Sequence, residues 1–184
     1  DTPTVSANTL VVIDDDDRTV VPPTGNPGDN GDGSDDTPAA VSDTLGFSFG
    51  ADGAGSIDFA SMHGTTDDTT IPGVIITYSW AGDTLTANDG EEDVFTVQVD
   101  DPTTGDYTVT ILGSLRHHTD ANADDTETDV TFDLTYTVTD GDGDQTTGTL
   151  SVLVDDDTPT VSANTLVVID DDDRTVVPPT GNPG

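Results

Sequence analysis

Cysteine and lysine are both absent from the chain, and its only basic side chains apart from three histidines are Arg18, Arg116 and Arg174. Without cysteine no disulfide can staple the fold, and the redox compartment leaves no mark on the sequence. Positive charge this scarce, set against 38 acidic residues and a formal charge of -35, excludes a surface built to hold nucleic acid or anionic lipid. Aromatic residues amount to 5%, with Trp80 and three tyrosines as the candidates for stacking on sugars. No apolar run exceeds a few residues, so neither a signal peptide nor a membrane-spanning segment can be read from this stretch.

What the chain has instead is aspartate. Of the acidic residues only Glu91, Glu92 and Glu127 are glutamate. A merely solvating acidic surface can use either acid, whereas aspartate in company with glycine and asparagine suits tight turns and loops that hold hard cations. Calcium is therefore the expected cofactor, and without counter-ions the clusters would repel one another.

The second positive feature is a repeat. Residues 157–184 reproduce residues 1–28 letter for letter, so the sequence returns to its start after 156 residues. The chain reads as one period of a tandem array, residues 1–156 with a long acidic loop at 18–40, plus the opening of the next period at 157–184. The alternative division is a core of residues 29–169, with 1–28 belonging to the preceding domain. Its joint is the run Asp155, Asp156, Asp157, followed by Thr158 and Pro159, where one strand stops and another begins.

Strand signals fill the rest. Residues 4–13 are β-branched and apolar behind Pro3, which suits the start of a strand. Leu45, Phe47 and Phe49 alternate with small or polar neighbours, as do Val74, Ile76, Tyr78 and Trp80. Phe95, Val97 and Val99 turn through residues 101–106 into Tyr107, Val109 and Ile111, which predicts a hairpin. Val130, Phe132, Leu134, Tyr136 and Val138 give the cleanest alternation, and after the turn at 140–145 the chain returns through Leu150, Val152 and Val154. Period-two alternation with turns this frequent predicts an all-β, antiparallel sandwich of the immunoglobulin-like or cadherin-like kind. The only short helical candidate lies near Ile57 to Met62.

Asp140, Asp142 and Asp144 alternate with Gly141 and Gly143, which lets three side chains turn toward one ion. The match to an EF-hand loop then fails, because Gln145 and Ser151 stand where glycine and a bidentate glutamate are required. An ordinary Asp-Gly hairpin turn is the plainer reading. A strand leaving this turn and ending at Asp155 would put the turn and the joint at opposite poles. The turn would then face the preceding joint, whose last carboxylate appears here as Asp1. The expected calcium ligands are Asp1, Asp140, Asp142 and Asp144 at one pole, and Asp155, Asp156 and Asp157 at the joint. Asp14, Asp15 and Asp16, in a four-aspartate run abutting a strand end, complete the set. That run reads equally as a solvated charge block. Asn30, Asp32, Ser34 and Asp36 also alternate oxygen ligands.

Other motifs carry less. Residues 46–50 spell G-x-S-x-G within a strand pattern and with no following helix, so they are no nucleophile elbow. His117 and His118, adjacent in a loop, would point different ways and make a poor zinc pair. The Thr-x-Thr rows suit the exposed side of strands. No catalytic constellation stands out, and the chain is not expected to be an enzyme.

Residues 135–144 (TYTVTDGDGD), 148–159 (GTLSVLVDDDTP) and 46–64 (GFSFGADGAGSIDFASMHG) together resemble the tandem immunoglobulin-like extender repeats of bacterial RTX adhesins. These are very long proteins exported by type I secretion that take part in biofilm attachment. The resemblance implies sandwiches strung end to end with calcium at the joints, outside a Gram-negative cell. It also implies neighbouring repeats of the same chain as the partners, a monomeric state, and no nucleic-acid or membrane-inserted partner. A rival expectation is a ligand-binding adhesin module that recognises sugar or another surface.

Overall fold

Strands β9 (Asp93–Asp101) and β10 (Asp106–Ile111) form the hairpin that the alternation predicts, with Val97 opposite Val109 and Phe95 opposite Ile111. The computed structural model of the chain describes residues 1–14, 40–113, 115 and 129–155. Around the hairpin a six-stranded sheet runs in the order β3-β10-β9-β8-β7-β6, with β3 at Ala40–Thr44, β6 at Thr66–Asp67, β7 at Ile76–Ala81 and β8 at Thr84–Asn88. A four-stranded sheet, β2-β12-β11-β5, faces it, formed by β2 (Val11–Asp14), β5 (Ser56–Asp58), β11 (Val130–Thr139) and β12 (Gln145–Asp155). A small pair, β1 (Thr4–Val5) with β4 (Phe47–Ser48), flanks them.

The two sheets make an all-β sandwich because each long strand sends alternate residues inward. Along β11, Val130, Phe132, Leu134, Tyr136 and Val138 are buried while Thr131, Asp133 and Thr135 face water. Phe132 meets Phe95 of the opposite sheet with ring centroids 5.3 Å apart, and Tyr136 meets Phe59 at 5.9 Å. Gly148 lies opposite Tyr136 in the β11-β12 ladder, and a Cβ there would come within 2.3 Å of the tyrosine ring. That close approach explains a glycine inside a central strand.

Three expectations need correction. Residues 4–13 do not form one strand: the chain breaks between β1 and β2, and the two pieces join different sheets. The break serves Asn8, whose amide nitrogen donates to the Thr149 carbonyl (2.7 Å) and the Tyr136 hydroxyl (3.1 Å), while its oxygen accepts from Gly46 N–H (2.7 Å). Second, the helical candidate is strand β5 followed by a single 3-10 turn, Ala60–Met62. Third, among the described residues one pairing within the antiparallel sandwich is parallel: β2 runs alongside β12, with Val11 beside Val152 and Asp14 beside Asp155. Val11 and Ile13 are buried there. The loop at 18–40, apart from Ala40, and His117 and His118 lie outside the described residues, as do residues 157–184.

β12 is 11 residues long and unbroken, so the 140–144 turn and Asp155 stand at opposite ends of the sandwich. Both poles are therefore fixed by one strand.

Candidate metal centre

The turn between β11 and β12 is built on the Asp140 side chain. Its Oδ1 accepts the backbone N–H groups of Gly143 (3.1 Å) and Asp144 (2.9 Å), and the Asp140 N–H donates to the Asp144 carbonyl (3.0 Å). Gly143, at φ 95°, supplies the left-handed step that an L side chain resists. An aspartate that organises its own turn is ordinary. The other carboxylate oxygen is not: Asp140 is 4% exposed, and its Oδ2 is buried without a hydrogen-bond partner.

A second loop brings the group that faces it. Residues 50–55 dock backbone to backbone on the turn, with Gly141 N–H donating to the Gly53 carbonyl at 3.1 Å. A Cβ on Gly55 would fall 1.9 Å from the Thr139 carbonyl oxygen, and one on Gly141 would fall 2.4 Å from that of Asp52. Only glycine fits at both positions, and this contact places Asp52 beside the turn. Ligand oxygens of Asp52, Asp140 and Asp142 all lie within 4.8 Å of one another. Two oxygens on opposite sides of one calcium ion, each at about 2.3 to 2.6 Å, stand roughly 5 Å apart, so one ion can span this spacing.

The electrostatics of the pair follow from the same crowding. Burial pushes the Asp140 carboxyl up, yet hydrogen bonding with the Asp142 side chain and with the N–H groups of residues 142–144 outweighs it and holds the group below the usual carboxylate range. Asp142 moves the other way, raised by its hydrogen bond to Asp140, by desolvation and by the Asp140 charge. Proximity thus pushes the two carboxyls in opposite directions. All the donors are oxygen and none is nitrogen or sulfur, which suits a hard divalent cation such as calcium.

Asp1 reaches the same pole. Its ammonium pairs with Asp52 and lies in the field of Asp142 and Asp144, while its Oδ2 accepts Ala51 N–H at 3.3 Å. At the identical residue Asp157 that nitrogen belongs to a peptide bond with Asp156 and carries no charge.

A family model described as a domain of unknown function, DUF5801, matches residues 26–153. The chain belongs to that family. No curated protein and no solved structure matches it. The DUF5801 span holds Asp52, Asp140, Asp142 and Asp144, and leaves β1, β2 and Asp155 outside.

Of the ligands expected from sequence, Asp140 and Asp142 come together, with Asp1 and Asp144 at the same end. The Asp144 carboxylate is not one of the clustered three; its backbone closes the turn. Asp14 and Asp155 are neighbours in the β2-β12 ladder at the opposite pole, where Asp14 is buried. Asp15, Asp16, Asp156 and Asp157 lie outside the described residues. Asp52 escaped the sequence reading. Its signal was Gly50, Gly53 and Gly55 about a single aspartate, a spacing that needs the tertiary contact to acquire meaning. A separate cleft of about 450 Å³ lies between β6 and β11, lined by Thr65, Thr66, Asp67, Tyr78, Thr131 and Asp133 among others.

Proposed function

We propose that this DUF5801 domain is a structural extender repeat of a bacterial surface adhesin of the RTX type, stiffened by calcium where successive repeats meet. The observation that carries the reading is the buried, unpartnered Oδ2 of Asp140, held against Asp52 and Asp142 at the pole where the chain enters the sandwich. In a tandem array Asp1 of one repeat occupies the place of Asp157 of the repeat before it, one residue beyond Asp156 and two beyond Asp155. The aspartates of one sandwich's exit and of the next one's entry would then share a joint a few residues long. Such a joint repels itself unless a cation bridges it, and oxygen donors from both sides supply the six to eight ligands that calcium takes.

On this reading the protein acts outside a Gram-negative cell, its partners are the neighbouring repeats of the same chain, and it performs no catalysis. Its work is mechanical: a bridged joint holds its angle, so a string of sandwiches projects a distal binding region instead of coiling. Calcium that binds only the folded form also stabilises it, by roughly 2.7 kcal/mol at a free concentration about 100 times the dissociation constant. Calorimetric titration of the chain with calcium should show saturable uptake that magnesium, which demands a smaller octahedral shell, does not match. Absence of uptake would remove the basis of the proposal.

A second reading, a module that binds sugar, draws on the hydroxyl-lined cleft between β6 and β11. It is weakened by the position of the aromatics, since all three tyrosines are buried and Trp80 is half-buried against Phe59. Binding on a glycan array, abolished by substitutions at Thr66 and Thr131, would favour it.

A further inference from the structure

Strand β11 is paired along its whole length on one side and only at its end on the other. β12 accompanies all of it, from Val130 opposite Val154 to Thr139 opposite Gln145. On the far side β5 meets only Thr137, Val138 and Thr139. Among the described residues no strand lies beside 130–136 there.

One contact fixes where the backbone groups of that stretch point. Thr135 N–H donates to the Met62 sulfur at 3.2 Å, so it faces away from β12. In an antiparallel ladder the N–H and C=O of one residue share a side, and the side alternates along the strand. Thr131 and Asp133 therefore aim both groups outward from the sheet edge, and both residues line the cleft of about 450 Å³ beside β6. β6 is itself the last strand of the six-stranded sheet and pairs only with β7. Both sheets thus end at this cleft. A thioether is a weak acceptor, so Met62 terminates the β5 side of the ladder at Thr135 and the edge at 130–134 is left open to a further strand.

Charge decides which strand fits. Asp67 and Asp68 stand on one wall of the cleft and Asp133 on the other, and among the described residues its lining holds no basic side chain. Asp133 is steadied by the Ser151 hydroxyl (2.6 Å) and Asp67 by the N–H groups of Thr69 (2.9 Å) and Thr70 (3.0 Å), while Asp68 is exposed. These carboxylates repel the same edge of a second copy, whose chain has no lysine to answer them. They attract a strand of the opposite sign. Cross-strand neighbours share a face, so the positive residues of such a strand are every second one, beside Asp133, and those between them turn toward the buried Met62 and Tyr78.

We propose that the β11 edge at residues 130–134 is a docking site for an extended segment of a partner protein with lysine or arginine at alternate positions, which joins the four-stranded sheet as an added strand. Backbone hydrogen bonds to Thr131 and Asp133 hold the segment, and the carboxylates select its charge. The site lies at the end of β11 away from the Asp140 turn. It makes no use of a metal and stands apart from the calcium reading.

The test uses the full chain in excess chelator and an end-blocked synthetic peptide of alternating lysine and threonine. The peptide should bind saturably, one per chain, and its counterpart with glutamate for lysine should not. Methylating the peptide's backbone nitrogens keeps the charge and removes the donors, and should weaken binding about tenfold or more. Hydrogen exchange followed by NMR should slow at the amides of Thr131 and Asp133 on saturation and stay unchanged at Thr137 and Thr139. Thr131→Pro removes an outward N–H without touching the ladder to β12, and T131P should bind the lysine peptide about tenfold more weakly. If T131P fails to fold, the exchange measurement on the unaltered chain decides alone. Methylated peptide that binds as tightly as its parent would overturn the proposal, since charge alone would then account for uptake. So would exchange at Thr131 and Asp133 that does not slow, or uptake of neutral oligosaccharides by a chain that ignores the lysine peptide.

Discussion

Several of the described aspartates shape turns, and on the proposed reading Asp140 also holds an ion. Asp58, Asp67 and Asp101 accept N–H groups two residues ahead, from Ala60 (2.9 Å), Thr69 (2.9 Å) and Thr103 (2.8 Å). At Asp67 and Asp101 these bonds, with those from threonine hydroxyls, outweigh desolvation and hold the carboxyls below their usual range. Such residues are turn-formers that take these bonds on Oδ1 at partly exposed positions. Asp140 forms its turn with one oxygen and buries the other within reach of the Asp52 and Asp142 carboxylates, which makes it the ligand on the proposed reading. Asp140→Asn keeps the shape and removes the charge, and should weaken calcium binding by at least the roughly 10–100-fold that loss of an outer partner costs a metal site. Titration calorimetry of the variant beside the unaltered chain measures this.

The same pair sets a pH signature. Asp142 is raised, so the folded state holds its proton more tightly than the unfolded state does, and stability without a cation falls as pH rises through that raised value. Asp140 is lowered and contributes the opposite way: its stabilisation is present above the ordinary carboxylate range and disappears as pH falls through its depressed value. In chelator, melting temperature should therefore decline as pH climbs from just above the ordinary carboxylate range. Saturating calcium should abolish that decline by neutralising the pair. A melting profile with the same slope in both buffers would contradict the assignment. Composition alone cannot make this distinction, because an Asp-rich chain looks the same whether its carboxylates cap turns or wait for an ion.

At the level of elements, the long strands were legible because burial imposes a two-residue period on them. Val130 to Val138 and Phe95 to Val99 alternate in the sequence as they do in the sheets. The β1-β2 segment was not legible. Residues 4–13 carry enough apolar and β-branched side chains for one strand, and only the demands of Asn8 on three partners from elsewhere in the chain divide them. Asp52 was hidden for a similar reason, since its place depends on two glycines meeting a backbone about 85 residues away. Gly141→Ala tests that docking. Its Cβ would meet backbone and not a flexible side chain, so loop 50–55 must move, at about the 1–3 kcal/mol typical of overpacking. Chemical denaturation should register the loss, and calcium binding should weaken with it because Asp52 leaves the cluster.

On the scale of the whole molecule the argument is about poles. One unbroken strand, β12, separates the Asp140 turn from Asp155, and β2 runs beside it in the same direction, so the chain enters at one end and β12 leaves at the other. A repeat with entry and exit at opposite ends stacks into a line, and residues 156–159 are all that lies between β12 and the copy of β1. The length of that line depends on whether so short and acidic a joint is bent by its own charge or straightened by a cation. Small-angle scattering from two complete 156-residue periods in tandem, with calcium and then with excess chelator, measures this directly. The account requires a maximum dimension close to two sandwiches end to end in calcium, shrinking and broadening when the ion is withdrawn. A maximum dimension that stays the same in both solutions would contradict it.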